Sequence, residues 1–202
     1  MYRIFIFGKN TQMKYIVSII LSFLAFQLQA QVKNETEKRI KKKDVPEEVM
    51  EWFKDAYEKR KKVKWFYQTD GEKTVYEAKL MYKKQKHSVE ILPNGNIVNI
   101  EVLIDFDTIE ANSKNNIETY LYANYTKFSI KKVQIQYTGS NDDLEDLIDE
   151  DELNEAITIN YEIEFYGKNE IVDELWEGLF NSDGKLMEHR KIKLKATDNL
   201  DY

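Results

Sequence analysis

Residues 74–82 read Thr74-Val75-Tyr76-Glu77-Ala78-Lys79-Leu80-Met81-Tyr82, and every second side chain is of one kind. Tyr76, Ala78, Leu80 and Tyr82 fall on one side, and Glu77, Lys79 and Met81 on the other. Period two marks a strand with one buried face. The same pattern returns in Tyr161-Glu162-Ile163-Glu164-Phe165. Outward from the first stretch, alternation predicts strands over 63–68, 86–92 and 96–104. Asp70-Gly71 and Asn94-Gly95 sit between strands, and both dipeptides favour hairpin turns. Upstream, Val49, Trp52, Phe53, Ala56 and Tyr57 recur at the spacing of an amphipathic helix. Asp44 followed by Glu47 reads as a capping box, with Pro46 in the first turn where a missing N–H costs nothing.

The second half carries the same order. Ile117, Tyr120, Leu121 and Tyr125 give a helical stripe. Strands follow over 131–137, 157–166, 172–180 and 186–194, with Asp183-Gly184 placed as Asn94-Gly95 was. The expected fold is therefore α+β. Two tandem repeats, each one helix plus a four-stranded antiparallel meander, would pack their helices on one face of an open sheet. The repeats are expected at 45–104 and 105–197, the second holding an acidic insertion at 140–156, with a tail at 198–202.

The first thirty residues read as an address. Met13-Lys14 precedes an apolar run over 16–26 that only Ser18 and Ser22 interrupt, and Leu28-Gln29-Ala30 ends it on a small residue. That order is a secretory signal peptide whose true start is Met13. Its apolar core of about eleven residues falls short of the roughly 20 that span a bilayer. A charged leader at 31–44 follows. The chain is expected in the periplasm or secreted, with no transmembrane segment after cleavage.

Composition removes most catalytic classes. The 202 residues hold no cysteine, two histidines, 7 glycines and 2 prolines. Disulfides, thiolate metal sites, cysteine nucleophiles and glycine-rich phosphate loops are excluded. Neither His87 nor His189 stands near a nucleophile motif. None of Ser88, Ser113, Ser129, Ser140 and Ser182 lies in a Gly-x-Ser-x-Gly elbow. The run 142–155 has nine acids and no base, but it lacks the glycine-centred turn of a calcium loop. No catalytic residue, metal site or cofactor is expected. Removing 1–30 takes away Arg3, Lys9 and Lys14 and leaves 27 basic against 36 acidic residues, net −9, a charge unsuited to nucleic acid.

Val45-Pro46 opening a helix, the Lys62-Val63-Lys64-Trp65 strand, Val75-Tyr76-Glu77-Ala78 and the Asn94-Gly95 turn resemble the PepSY-like, β-lactamase-inhibitor-protein-like exported proteins of the Bacteroidetes. The resemblance covers roughly 45–194. It implies an open antiparallel sheet with helices on one face, and inhibition or regulation of an enzyme. The residues themselves point to an exported non-catalytic binding or regulatory module that docks another exported or envelope protein. Its contact face is expected to comprise Phe66, Glu77, Lys79, Gln134, Asn160, Glu162, Glu164 and Tyr166, on the side opposite the helices. The alternatives are a small-ligand or cation-binding protein using the acidic insertion, and a carboxylate-dependent hydrolase.

Overall fold

The computed structural model describes residues 31–33, 35–58 and 60–193; the expected signal peptide at 1–30 and the tail at 198–202 lie outside the described residues. The elements run β1 (Gln31–Lys33), β2 (Thr36–Ile40), α1 (Glu47–Ala56), β3 (Val63–Asp70), β4 (Lys73–Tyr82), β5 (Gln85–Ile91) and β6 (Ile97–Leu103). Then come α2 (Ala111–Asn124), β7 (Lys127–Thr138), α3 (Asn141–Asp149), β8 (Thr158–Lys168), β9 (Asp173–Asn181) and β10 (Leu186–Ile192). All ten strands join one sheet in the order β1-β10-β9-β8-β7-β6-β5-β4-β3-β2. Each pairing from β2 round to β10 is antiparallel.

This corrects the expected α+β pair of tandem helix-plus-four-strand repeats. The protein is mostly sheet, one continuous antiparallel sheet with three helices among the described residues, and strands hold far more of it than helices do. The reason lies in hydrogen bonding across the expected repeat boundary. A separate first unit would leave β6 as an edge of unpaired N–H and C=O groups. Instead β6 pairs with β7, Ile100 opposite Tyr137 and Val102 opposite Ile135. At the other edge, residues 36–40 form β2 on β3, with Ile40 opposite Trp65. The acidic insertion supplies the third helix, α3.

The sheet also curls. Seven strand spacings of roughly 4.8 Å would hold β3 and β10 about 34 Å apart in a flat sheet. Yet Arg190 of β10 reaches Asp70, the last residue of β3, at 3.3 Å. Such a contact needs a strongly concave face.

The other face carries the helices over two apolar clusters. Val49, Phe53 and Ala56 of α1 pack on Trp65, Ala78, Leu80, Val89 and Ile100, and Leu144 and Ile148 of α3 complete this cluster. Ile117 and Leu121 of α2 pack on Val133, Ile163, Phe165, Trp176 and Phe180. The caps differ from the expected box. Asp44 is taken into a 3-10 turn, Lys42–Asp44, and Pro46 caps α1 without a side-chain bond. Glu110 caps α2 by accepting from the N–H groups of Asn112 and Ser113, and Ser140 caps α3 by accepting from that of Asp143. Two turns are locked against helix starts. Gly95 has φ +85°, and a Cβ there would lie 2.8 Å from the Glu48 carbonyl oxygen; at Gly184, φ +77°, it would lie 2.1 Å from that of Ser113. Only glycine fits either place.

Candidate functional site

The concave face follows from strand parity. In β4, Ala78 and Leu80 go under α1, so Glu77 and Lys79 emerge on the opposite side. Register then carries this polarity across the sheet. Lys64, Lys79, Ser88, Glu101, Gln136, Asn160 and Asn181 are successive cross-strand partners from β3 to β9. A parallel row runs through Leu103, Gln134, Glu162 and Leu179, and another through Lys132, Glu164 and Glu177 to Arg190. Curvature turns these rows into the floor of a groove of about 1210 Å³, walled from β3 to β10. No phenylalanine, tyrosine or tryptophan is among its lining residues.

The floor is buried although no helix of the described residues covers it. Glu77, Ser88, Asn99, Glu101, Gln134, Gln136, Glu162 and Glu177 are all buried, with Glu177 only 3% exposed. Cations serve these carboxylates in shared pairs. Lys79 Nζ donates to Glu37 at 2.8 Å and lies 3.0 Å from Glu77. Lys132 donates to Glu164 at 3.1 Å. Arg190 donates to Glu177 at 2.7 Å and to Asp70 at 3.3 Å, and lies 3.5 Å from Glu188. Burial alone would lower the pKa of each cation. The bonds and fields of the carboxylates outweigh it and hold Lys79, Lys132 and Arg190 above their ordinary values.

The amides show a directional pattern. Gln68 Nε2 donates to Glu90 at 3.2 Å and Asn99 Nδ2 to the same carboxylate at 3.4 Å. Gln136 Nε2 donates to Glu101 at 3.5 Å, and Asn160 Nδ2 to the Gln136 carbonyl oxygen at 3.4 Å. The carboxylates fix this orientation, because flipping Gln68, Asn99 or Gln136 would set oxygen against oxygen. Each of these amides thereby uses one of its two N–H donors on a neighbouring acceptor. The carbonyl oxygens of Gln68, Asn99, Gln134 and Asn160 are buried and have no hydrogen-bond partner among the described residues. Buried polar atoms are normally paired, so four orphans on one face, all acceptors, stand out.

Of the residues expected at the contact face, Glu77, Lys79, Gln134, Glu162 and Glu164 line the groove. Asn160 ends the polar row bonded to Gln136. Phe66 sits outside the lining with Lys79 Nζ 4.8 Å from its ring centre. Tyr166, opposite Ser129 and Leu175, is also outside it. Sequence reasoning missed Glu90, Asn99, Glu101, Gln136, Glu177 and Arg190. Alternation extended through 86–92 and 96–104 exposes the first three; nothing local marks Glu177 or Arg190.

Three carboxylates, Glu162, Glu164 and Glu177, bring oxygens within 4.8 Å of one another. Lys132 and Arg190 already neutralise two of them. The acidic insertion has a structural task instead: Asn141 accepts from Trp52 Nε1 at 2.9 Å through its backbone oxygen and donates to the Gly95 carbonyl at 3.0 Å. Each histidine lies on the helix side against a tyrosine that ends a helix. His87 Nδ1 is 3.1 Å from the Tyr57 hydroxyl, and His189 Nε2 is 3.1 Å from that of Tyr125. His189 also stacks on Trp176 with ring centres 4.2 Å apart. Neither histidine has a serine bonded to it.

No family model and no curated protein matches the chain. Solved structures that it resembles include a DUF2874 family protein from Bacteroides ovatus, 18% identical, TM-score 0.48, with 78% of this chain and 93% of that one covered. A BLIP-like protein from Bacteroides fragilis is 13% identical, TM-score 0.47, covering 76% and 92%. A candidate periplasmic protein from Bacteroides eggerthii is 14% identical, TM-score 0.48, covering 73% and 88%. A BLIP-like protein thus stands among the three, and a PepSY-like one does not. Among the described residues no helix is long and apolar enough to cross a membrane.

Proposed function

We propose that this chain is an exported, non-catalytic binding module that docks a segment of another polypeptide in the concave face of its sheet, in the manner of an enzyme inhibitor or regulator. The observation that supports it is the floor of buried, partly unpartnered polar groups between β3 and β10. A merely solvated sheet face would keep its polar atoms wet; these are withdrawn from water and left short of donors. The absence of an aromatic platform in the lining disfavours sugars, which stack, and the acidic floor disfavours nucleic acid. Mixed amides and charges in a groove of this size suit a protein loop. Export is supported by the order of charge, apolar run and small residue in 13–30.

The test places a photo-crosslinking amino acid at Leu103 in the groove and, as a control, at Lys54 on α1. The expected result is a discrete crosslinked polypeptide from position 103 that position 54 does not give. Equal crosslinking from both positions, or none from 103, refutes the docking reading.

A further inference from the structure

We infer that the docked segment runs on as an extended strand along the first half of β7, pairing its backbone there and presenting alternating acidic and apolar side chains. The inference rests on the docking reading and adds how the visitor's backbone is held. β7 pairs with β8 from Lys127 to Thr138, but β6 meets it only from Gln134 to Tyr137. One further bond, from the Ile104 N–H to the Val133 carbonyl at 3.0 Å, ends that ladder. There the chain turns away into a 3-10 turn, Phe106–Thr108, and then α2. Among the described residues no strand lies on this side of residues 127–132. A bulge between Ile130 and Lys132 falls where β6 leaves, as bulges do where pairing stops. The edge is open to a visitor: Lys127, Ser129 and Lys131 are exposed, and Phe128, Ile130 and Lys132 are half-buried. Alternate residues of such an edge turn an N–H and a C=O outward, a spacing that another extended polypeptide backbone matches. A cleft of about 590 Å³ opens beside it, between residues 103–108 and 130–133. Leu103, Lys131 and Lys132 line both this cleft and the groove, so one segment can pass from one into the other.

Side-chain parity describes the visitor. Phe128 and Ile130 lie on the helix side against the second apolar cluster, where Phe106 also packs. Lys127 and Ser129 fall on the other side by alternation, and Lys131 and Lys132 line the groove. Lys127 and Lys131 make no ion pair among the described residues, whereas Lys132 is held by Glu164. A strand laid here meets lysines with every second side chain and Phe106, Phe128 and Ile130 with the others. Alternating acidic and apolar residues match it. A second copy of this chain would bring its own Lys127 and Lys131 against the first pair, and like charges set opposite one another repel. The occupant is therefore an acidic strand from a different polypeptide.

The experiment follows backbone amide signals of the 15N-labelled protein by NMR during titration with a capped peptide of alternating aspartate and valine, and measures hydrogen exchange over 127–132 at saturation. Two companion peptides carry N-methyl groups on the aspartates or on the valines, because only alternate N–H groups of an added strand face β7. The parent peptide is expected to shift β7 signals saturably and to slow exchange there about tenfold. One N-methylated peptide should keep its affinity, and the other should lose about tenfold or more. Lys131→Glu should weaken the aspartate peptide about tenfold and favour a lysine-valine peptide, a reversal that a misfolded variant would not give. Equal binding of both N-methylated peptides, equal binding of the aspartate and lysine peptides to the parent protein, or unchanged exchange over 127–132 would each overturn the inference. So would a dimer in sedimentation that already protects this edge without peptide. If position 103 still crosslinks a polypeptide in any of those events, docking stands and only the strand pairing is lost.

Discussion

Acid should destabilise this protein through His87 by an amount the structure sets. The imidazole lies between the rings of Tyr57 and Tyr82, both 5.7 Å away, and its Nε2 is buried without a partner. Burial first, and the nearby Lys83 charge second, lower its pKa from the ordinary 6.5 to about 4. The folded chain therefore refuses a proton that the unfolded chain accepts below pH 6.5. The stabilising difference is fully present above that pH and is lost as pH falls toward 4. About 2.5 pH units at ~1.36 kcal/mol each give a loss of about 3 kcal/mol from this one group. His87→Gln removes the titration and keeps a hydrogen-bonding group toward the Tyr57 hydroxyl. Urea denaturation of both proteins at pH 8, 7, 6, 5 and 4, at fixed ionic strength, measures the difference. The variant should start lower at pH 8, by about 1 kcal/mol for the imperfect replacement, and then lose less per pH unit, so that the curves cross at about pH 6. Carboxylates contribute to both curves and cancel in the difference. Parallel curves from pH 8 to 4 would refute the reasoning, because His87 would then be titrating alike in both states.

Three further outcomes follow from packing and charge. Leu144→Ala should cost about 3 kcal/mol by chemical denaturation, since Leu144 is fully buried where α3 meets α1, whereas Leu153→Ala, 55% exposed, should stay within about 0.5 kcal/mol. Gly184→Ala should lower the thermal midpoint by the equivalent of about 2–4 kcal/mol, combining left-handed backbone with a Cβ set against the Ser113 carbonyl. Arg190→Ala should cost about 3 kcal/mol in urea unfolding, because it takes the guanidinium away from the buried Glu177 carboxylate, and Arg190→Ala with Glu177→Gln should recover much of that loss.

What the sequence made legible was local. The period-two run through Tyr76 to Tyr82 places β4 and its faces, and the 3.6-period stripe through Val49 to Tyr57 places α1, because both signals lie within a few residues of one another. Which strand lies beside which does not. The β6–β7 pairing that fuses the sheet joins Ile100 to Tyr137, and the Arg190–Asp70 contact that reports its curl spans 120 positions. Neither leaves a local trace in composition. The candidate site divides in the same way. Glu77, Lys79, Glu162 and Glu164 are readable from alternation, while the surroundings of Asn99 and Gln134 depend on which strands lie beside β6 and β7. In the acidic run at 142–155 the acids dominate the count. Leu144 and Ile148, four apart, decide its packing.

The two faces of the sheet are built to different rules, and the contrast bears on function. On the helix side, apolar side chains interlock, Gly95 and Gly184 meet helix backbones closely, and even the polar His189 is stacked and bonded. On the concave side, good local choices stop short of satisfaction: amides reach carboxylates with their N–H groups and leave their oxygens behind. Each such orphan costs on the order of 1–3 kcal/mol relative to a paired group unless water or a partner meets it. Leucine at position 99 or 134 would remove that cost in the free protein. A chain that keeps the polar residue gives up stability where the groove is deepest, which is where departures from local consistency mark a functional surface. If the orphan acceptors await a partner, Gln134→Leu should hold or raise the melting temperature of the free protein. A fall in melting temperature of several degrees on making Gln134→Leu would show the acceptor already satisfied in the free chain, and the groove would lose its strongest claim to an absent donor.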